Sequence, residues 1–269
     1  LCSYCENIQL MASAFAKFFS EKSSVREFLS KLCCSYSNFD CVNGDCDECS
    51  DIENLVKSKL QSCCGDEVTN YYRWEKNVNF YQRNIISDDT VNEVIAKFIP
   101  DFTSYKLHCY VQNEQKNVLK ESIEELSDDE IIIICDYAER FTTRARREIQ
   151  SSYFGKKLIS LFTARMHIGK KQFSYIIASD DNTQSKFAVY ACITRLLEIA
   201  KGVNENLNHL KIFSDGCASQ FKNKYGLTNL INAPTEWGLT AEWNFFGTGH
   251  GKSACDGLGG SIKRGVHRK

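Results

Sequence analysis

The spacing of apolar positions changes near residue 130. Before it, apolar side chains recur every three or four residues, as on one face of an amphipathic helix. Residues 8–31 carry Leu10, Ala14 and Phe18, then Val25, Phe28 and Leu29, with Leu32 just beyond. The run Ser20 to Ser24 predicts a break, with a second helix starting at Ser23 or Ser24. A short helix is expected over about 50–62. Residues 66–83 are rich in aromatics (Tyr71, Tyr72, Trp74, Phe80, Tyr81) with some strand-like alternation. Ser87-Asp88-Asp89-Thr90 reads as a helix start, followed by Val91, Val94, Ile95 and Phe98, and Pro100 is expected to end that helix. Another helix is predicted from Phe102, Tyr105, Cys109, Gln112, Leu119, Ile123 and Leu126. The acidic run Glu124 to Glu130 marks the expected boundary between a helical region, 1–130, and a second domain, 131–269.

Beyond 130 the pattern alternates between strands and helices. Strands are predicted at 131–136, 157–166, 172–179, 209–214 and 241–247, and helices at 183–201, 217–231 and 251–265. Three strands, then helix, strand, helix, strand and helix, is the element order of a ribonuclease-H-like fold. The predicted class is therefore α/β: a ribonuclease-H-like mixed sheet flanked by helices, preceded by a mainly helical, zinc-clipped region.

Composition alters this picture in three places. Hydrophobic residues make up 43% and charged residues 25% of the 269, values typical of a globular protein, and no run approaches the length of a membrane span. The chain starts at Leu1 and stops inside a basic stretch at Lys269, so a larger parent protein is expected. The net charge of −1 hides an asymmetry: residues 1–139 hold 13 Lys/Arg against 25 Asp/Glu, and residues 140–269 hold 20 against 9. A basic second half suits a phosphate-rich partner, although two differently solvated faces would give the same counts.

The 14 cysteines point to metal and to a reducing compartment rather than to a disulfide scaffold. Cys135 and Cys192 lie in apolar surroundings, where cysteine behaves as a small hydrophobe. Most of the others fall within the first 64 residues. Cys33 or Cys34 with Cys41, Cys46 and Cys49 forms a knuckle over 33–49, turning at Asn43-Gly44-Asp45, and four soft ligands on turning backbone suit tetrahedral Zn²⁺. Cys63-Cys64 is another source of one ligand. Cys2-x2-Cys5 reads as half of a second site, with partners expected upstream.

Three aspartates carry the candidate chemistry. Asp136 ends the run Ile131 to Cys135, Asp215 follows Leu210 to Ser214, and Asp256 lies soon after Trp243-Asn244-Phe245-Phe246. A carboxylate following a buried strand emerges at the carboxyl edge of a sheet, where open α/β sheets bind ligands. Each alone is equally explained as a cap; together they suit two Mg²⁺ or Mn²⁺ ions and phosphodiester chemistry. Glu139, Glu148, His250 and Lys252 are possible assistants. Lys222, Lys224, Lys252, Lys263 and Arg264 are candidate DNA contacts. Gly257, Gly259 and Gly260 suggest a close backbone approach.

Longer segments add a resemblance. Asp136-Tyr137-Ala138-Glu139, Glu148-Ile149-Gln150-Ser151, Leu161-Phe162-Thr163, the stretch Phe213 to Lys224, Trp243-Asn244-Phe245-Phe246, and His250-Gly251-Lys252 through Asp256 to Gly260 cover most of 131–264. In these the chain resembles transposase-derived eukaryotic proteins with DDE/DDD-type sites on a ribonuclease-H-like domain. The resemblance implies a nuclear protein that cleaves and transfers DNA strands with two Mg²⁺ ions on Asp136, Asp215 and Asp256, acting as a homo-oligomer. It departs at Tyr153-Phe154, where His-Trp is expected, and at Gln184, where a histidine is expected. Those departures fit a domesticated copy that binds DNA or chromatin without cutting it.

Overall fold

The structure is a computed structural model describing residues 2–16, 18, 24–49, 51, 54–55, 65–76, 81–142, 149, 158–247, 249 and 254–267. The chain divides into two compact units, Leu1–Glu114 and Gln115–Lys269. The division falls inside a long helix, ahead of the acidic run expected to mark it.

The first unit is helical with one hairpin. Helix α1 (Ser3–Ala16) buries Ile8, Met11 and Ala12. Helix α2 (Val25–Leu32) starts where the serine run predicts: the Ser24 hydroxyl accepts the Glu27 N–H at 3.2 Å, while Phe28, Leu29 and Leu32 go inward. Helix α3 (Phe39–Asn43) is a single short turn ended by Gly44, whose φ of 95° needs a residue without a side chain. The aromatic segment pairs as an antiparallel hairpin, β1 (Val68–Lys76) with β2 (Tyr81–Thr90). The helix expected at about 50–62 lies almost wholly outside the described residues.

One expectation holds and one fails in the next element. Strand β2 extends through Ser87 to Thr90, and a helix does start at the end of that run, capped by Thr90. Its backbone N–H donates to Glu93 at 2.7 Å and its hydroxyl accepts the Glu93 N–H at 3.3 Å, a reciprocal capping box. Helix α4 then runs unbroken over Val91–Glu124, through Pro100, where two helices were predicted. An internal proline costs ~3 kcal/mol through its missing N–H and ring clash. On either side, Phe98 and Phe102 are buried and stacked with centroids 5.4 Å apart, and Val94 is fully covered. Burying such side chains contributes about 1.5–3 kcal/mol each, so packing outweighs the proline.

The second unit is an α/β domain. Strands β3 (Glu130–Thr142), β4 (Leu158–Ile168), β5 (Lys171–Ser179), β6 (His209–Ser214) and β7 (Thr240–Phe245) form one sheet in the order β5-β4-β3-β6-β7. The pairs β3–β4 and β4–β5 are antiparallel; β3–β6 and β6–β7 are parallel. Helices α5 (Lys186–Val203), α6 (Lys224–Glu236) and α7 (Ala254–His267) complete it. Alternation along β3 sends Ile131, Ile133 and Cys135 into a large core with Val189, Ile193, Leu196 and Ala233 from α5 and α6. Ile132 and Ile134 face the other way, packing with Phe213, Cys255, Leu119 and Ile123. Burial on both faces explains the unbroken isoleucine run.

The predicted α6 begins late. Cys217 O accepts the N–H groups of Gln220, Phe221 and Lys222, making turns, and the helix starts only after Asn223, whose side chain caps Tyr225 and Gly226. Strand β3 runs long. The apolar run stops at Cys135, but pairing with β4 continues past Asp136↔Thr163 and Tyr137↔Phe162, through an irregularity between Ala138 and Phe141. It is the partner β6 that stops at Ser214, and with it the two-sided burial.

Candidate functional site

Asp136 therefore sits within β3 yet at the carboxyl end of its parallel neighbour. The β3–β6 register ends at Ile134↔Phe213; carried two residues further, it brings Asp136 level with Asp215. By alternation, Asp136 shares the sheet face of Ile132 and Ile134, the face covered by α7. Asp256 occupies the first turn of α7, next to buried Cys255, whose thiol donates to Ile134 O at 3.3 Å. Two side chains tie down the backbone beside the site: the Thr163 hydroxyl donates to Asp136 O at 2.9 Å, and Trp243 Nε1 donates to Ser214 Oγ at 3.0 Å.

Electrostatics report the proximity. Burial pushes the Asp136 carboxyl up to about 7, and the charges of Asp215 and then Asp256 add to it, against a lowering contribution from the Tyr137 N–H bound at 2.7 Å. Like charges brought together in a half-buried place raise a carboxylate in this way. Each aspartate also does structural work. Asp215 Oδ1 accepts the Cys217 N–H at 3.0 Å, closing the turn after β6. Asp256 lies where a helix N-terminus favours negative charge. The three carboxylates do not close to within 4.8 Å of one another, a spacing that two other groups among the described residues do reach.

Close approach of α7 to the sheet rests on one glycine. A Cβ on Gly259 would lie 2.7 Å from Ala138 Cβ, whereas Gly257 and Gly260 face open space. Lys263 pairs with Glu139 at 3.2 Å, which occupies both of those candidate residues with each other. Arg264 donates to Ser261 Oγ at 3.3 Å. Lys222 lies over the Phe245 ring at 5.5 Å and Lys224 over Tyr225 at 5.3 Å. Glu148, His250 and Lys252 lie outside the described residues. A cleft of about 340 Å³ bounded by Tyr137, Ser160, Ser179 and Cys192 opens on the opposite sheet face from Asp136.

One of the two closed groups is the knuckle in the first unit. Cys34, Cys41, Cys46 and Cys49 have their thiols mutually within 4.8 Å. Cys34 Sγ is 3.3 Å from Cys41 Sγ, 3.8 Å from Cys46 Sγ and 3.7 Å from Cys49 Sγ. Metal–sulfur bonds of about 2.3 Å at tetrahedral angles put sulfurs roughly 3.8 Å apart, so the set can hold zinc. The choice between Cys33 and Cys34 falls to Cys34. Cys33 is buried among Phe28, Leu29 and Leu32, and burial first of all pushes its thiol up to about 11. The Cys46 thiol is lowered, chiefly by backbone N–H donation from Glu48. Cys63-Cys64 lies outside the described residues. The second closed group corrects an expectation: Cys2 and Cys5 meet His108, far downstream.

The class these features define is an α/β domain with a mixed five-stranded sheet flanked by helices, preceded by a unit with a cysteine cluster. A family model described as "Domain of unknown function (DUF8701)" matches residues 115–269, and the chain belongs to that family. No curated protein and no solved structure matches the chain.

Proposed function

We propose that the second unit is a ribonuclease-H-like, transposase-derived domain that cleaves and transfers DNA strands. The single observation carrying this is the placement of Asp136 level with Asp215 beneath the start of α7, with the Asp136 carboxyl raised by burial and by both other aspartates. The strand order β5-β4-β3-β6-β7, with a meander on one side and two parallel strands on the other, supports the fold assignment. Asp136, Asp215 and Asp256 would hold Mg²⁺ or Mn²⁺, which supply charge neutralisation at the transferring phosphoryl group. The residues themselves contribute carboxylates grouped where β6 ends beside β3, with Asp136 set to ionise fully once a cation neutralises its neighbours. Lys222 and Lys224 lie in and beside the turn that follows Asp215 and would face the DNA backbone. A nuclear location and oligomeric action belong to the same proposal.

A second reading has its own support. The carboxylates stand wider apart than the cysteines of the knuckle, and Asp215 is engaged by the Cys217 N–H. A catalytically silent DNA- or chromatin-binding protein would keep this fold and lose turnover. Both readings meet one experiment: incubation of the full chain with end-labelled and supercoiled DNA, with Mg²⁺ or Mn²⁺, beside Asp215→Ala. Metal-dependent nicking that disappears in the variant is the expected result. Salt-sensitive binding without nicking selects the silent protein, and no binding even at low salt refutes both.

A further inference from the structure

We propose that Cys2, Cys5 and His108 form a second metal centre of the zinc type in the first unit, with Cys109 as its fourth donor, joining α1 to α4. The knuckle is a separate site made of other residues.

The geometry begins with α1. Cys2 precedes the helix and Cys5 stands in its first turn, with Glu6 N–H donating to Cys2 O at 3.0 Å. Positions three apart on a helical turn share a face, so both thiols turn the same way. They turn toward α4, where Cys2 Sγ lies 3.3 Å from His108 Nε2. For metal–sulfur and metal–nitrogen bonds of about 2.3 and 2.0 Å, a tetrahedral edge is roughly 3.5 Å. The three ligand atoms lie mutually within 4.8 Å. The Cys5 thiol also shares a hydrogen bond with Cys109. That thiol lies outside the three mutually close ligand atoms, and a side-chain rotation would bring it in as the fourth soft donor. Tyr4 stacks on the His108 ring at 5.1 Å between centroids, fixing the imidazole plane.

The position in the fold gives the centre a purpose. The same turn of α4 meets the knuckle, since Lys106 Nζ donates to Cys41 O at 3.3 Å. Tyr105 packs edge-on against Tyr36 at 5.5 Å. Two centres would thus brace one helical turn, the new one fastening it to α1 and the knuckle meeting it at Lys106. Ligands more than a hundred residues apart in sequence close a long loop, where a clip restrains the unfolded chain most. Neutral imidazole and thiolates from Cys2, Cys5 and Cys109 make a soft S₃N set that prefers Zn²⁺ over Mg²⁺ or Ca²⁺.

Metal analysis of the full chain, purified under reducing conditions after growth with zinc, tests the proposal. Two equivalents are expected, with Cys34→Ser and His108→Ala each losing one and the double variant losing both. His108→Cys guards against misfolding as the cause: it is expected to restore the second equivalent, and with Co²⁺ to move the visible bands from an S₃N toward an S₄ pattern. Cys109→Ser is expected to release the second metal at least tenfold faster to a chelator. One equivalent in the unaltered chain, retained in His108→Ala and lost in Cys34→Ser, overturns the site. Unchanged release from Cys109→Ser overturns the fourth donor.

Discussion

Replacing Asp136 by Asn isolates the electrostatic claim on which the catalytic proposal depends. The amide keeps the size of the carboxyl and an oxygen to accept the Tyr137 N–H, and removes only the charge. In the folded chain this carboxyl titrates near 7 rather than at 3.8, raised by burial, Asp215 and Asp256. Below about pH 3 the group is mostly neutral in both folded and unfolded chains, so wild type and variant are equally stable. As the pH rises toward 7, only the unfolded chain releases its proton, and the folded state loses stability progressively until it too ionises. At about 1.36 kcal/mol per pH unit the full loss is a little over 4 kcal/mol. Solvent screening at a half-buried site reduces this to ~2 kcal/mol. Asp136→Asn should therefore match wild type near pH 3 and exceed it by ~2 kcal/mol at pH 8, without added divalent ions. Urea titration in a Trp74→Phe background follows the second unit alone, through Trp237 and Trp243. Mn²⁺ should reverse the order at pH 8, because ions at about 100 times their Kd stabilise the wild type by about 2.7 kcal/mol and have less to bind in the variant. Parallel pH profiles for the two proteins, or equal stabilisation of both by Mn²⁺, would refute the reasoning.

Two further predictions concern packing and metal. Gly259→Ala should lower the unfolding free energy by about 1–3 kcal/mol in urea, because its Cβ would strike Ala138. Gly260→Ala, facing open space in the same helix, should raise it by up to about 1 kcal/mol; equal effects at the two positions would show that α7 does not lie where described. Cys34→Ser should remove one zinc equivalent, whereas Cys33→Ser should keep the metal and cost about 1–3 kcal/mol for a hydroxyl set among Phe28, Leu29 and Leu32. Metal content measured beside melting curves separates the two, and loss of metal from Cys33→Ser would reverse the ligand assignment.

The sequence made some of these features legible and left others hidden, for identifiable reasons. Strand positions in the second unit could be read because β3 is buried on both faces, and an isoleucine run has few other uses in a polar chain. The end of β3 could not, since the apolar run reports where β6 stops covering it, not where pairing with β4 stops. That difference matters for Asp136: it is held by a continuing strand on one side and released by a finished one on the other. Helix α4 was misread for a related reason. Proline is a strong local signal, and the Phe98–Phe102 stack that overrides it is tertiary. The helix start was legible in the run Ser87 to Thr90, whereas the reach of β2 to the end of that run was not, because it depends on pairing of Asp89 and Thr90 with Thr69 and Val68 of β1.

The cysteines show the same limit from the side of chemistry. Spacing within 33–49 is short enough that backbone turns must bring the thiols together, so the knuckle was visible, but Cys33 and Cys34 are adjacent and only burial tells them apart. Cys2 and Cys5 announced half a site, and its other half was expected upstream of them. Their partner lies in α4, joined through the packing of Ile8 and Met11 in one core with Phe98 and Phe102. Local spacing can show that a ligand pair exists; only packing chooses what completes it. The aspartates obey the same rule. Register sets Asp136 level with Asp215 through backbone hydrogen bonds, whereas Asp256 depends on how closely α7 approaches, and that distance is governed by a side chain Gly259 does not have.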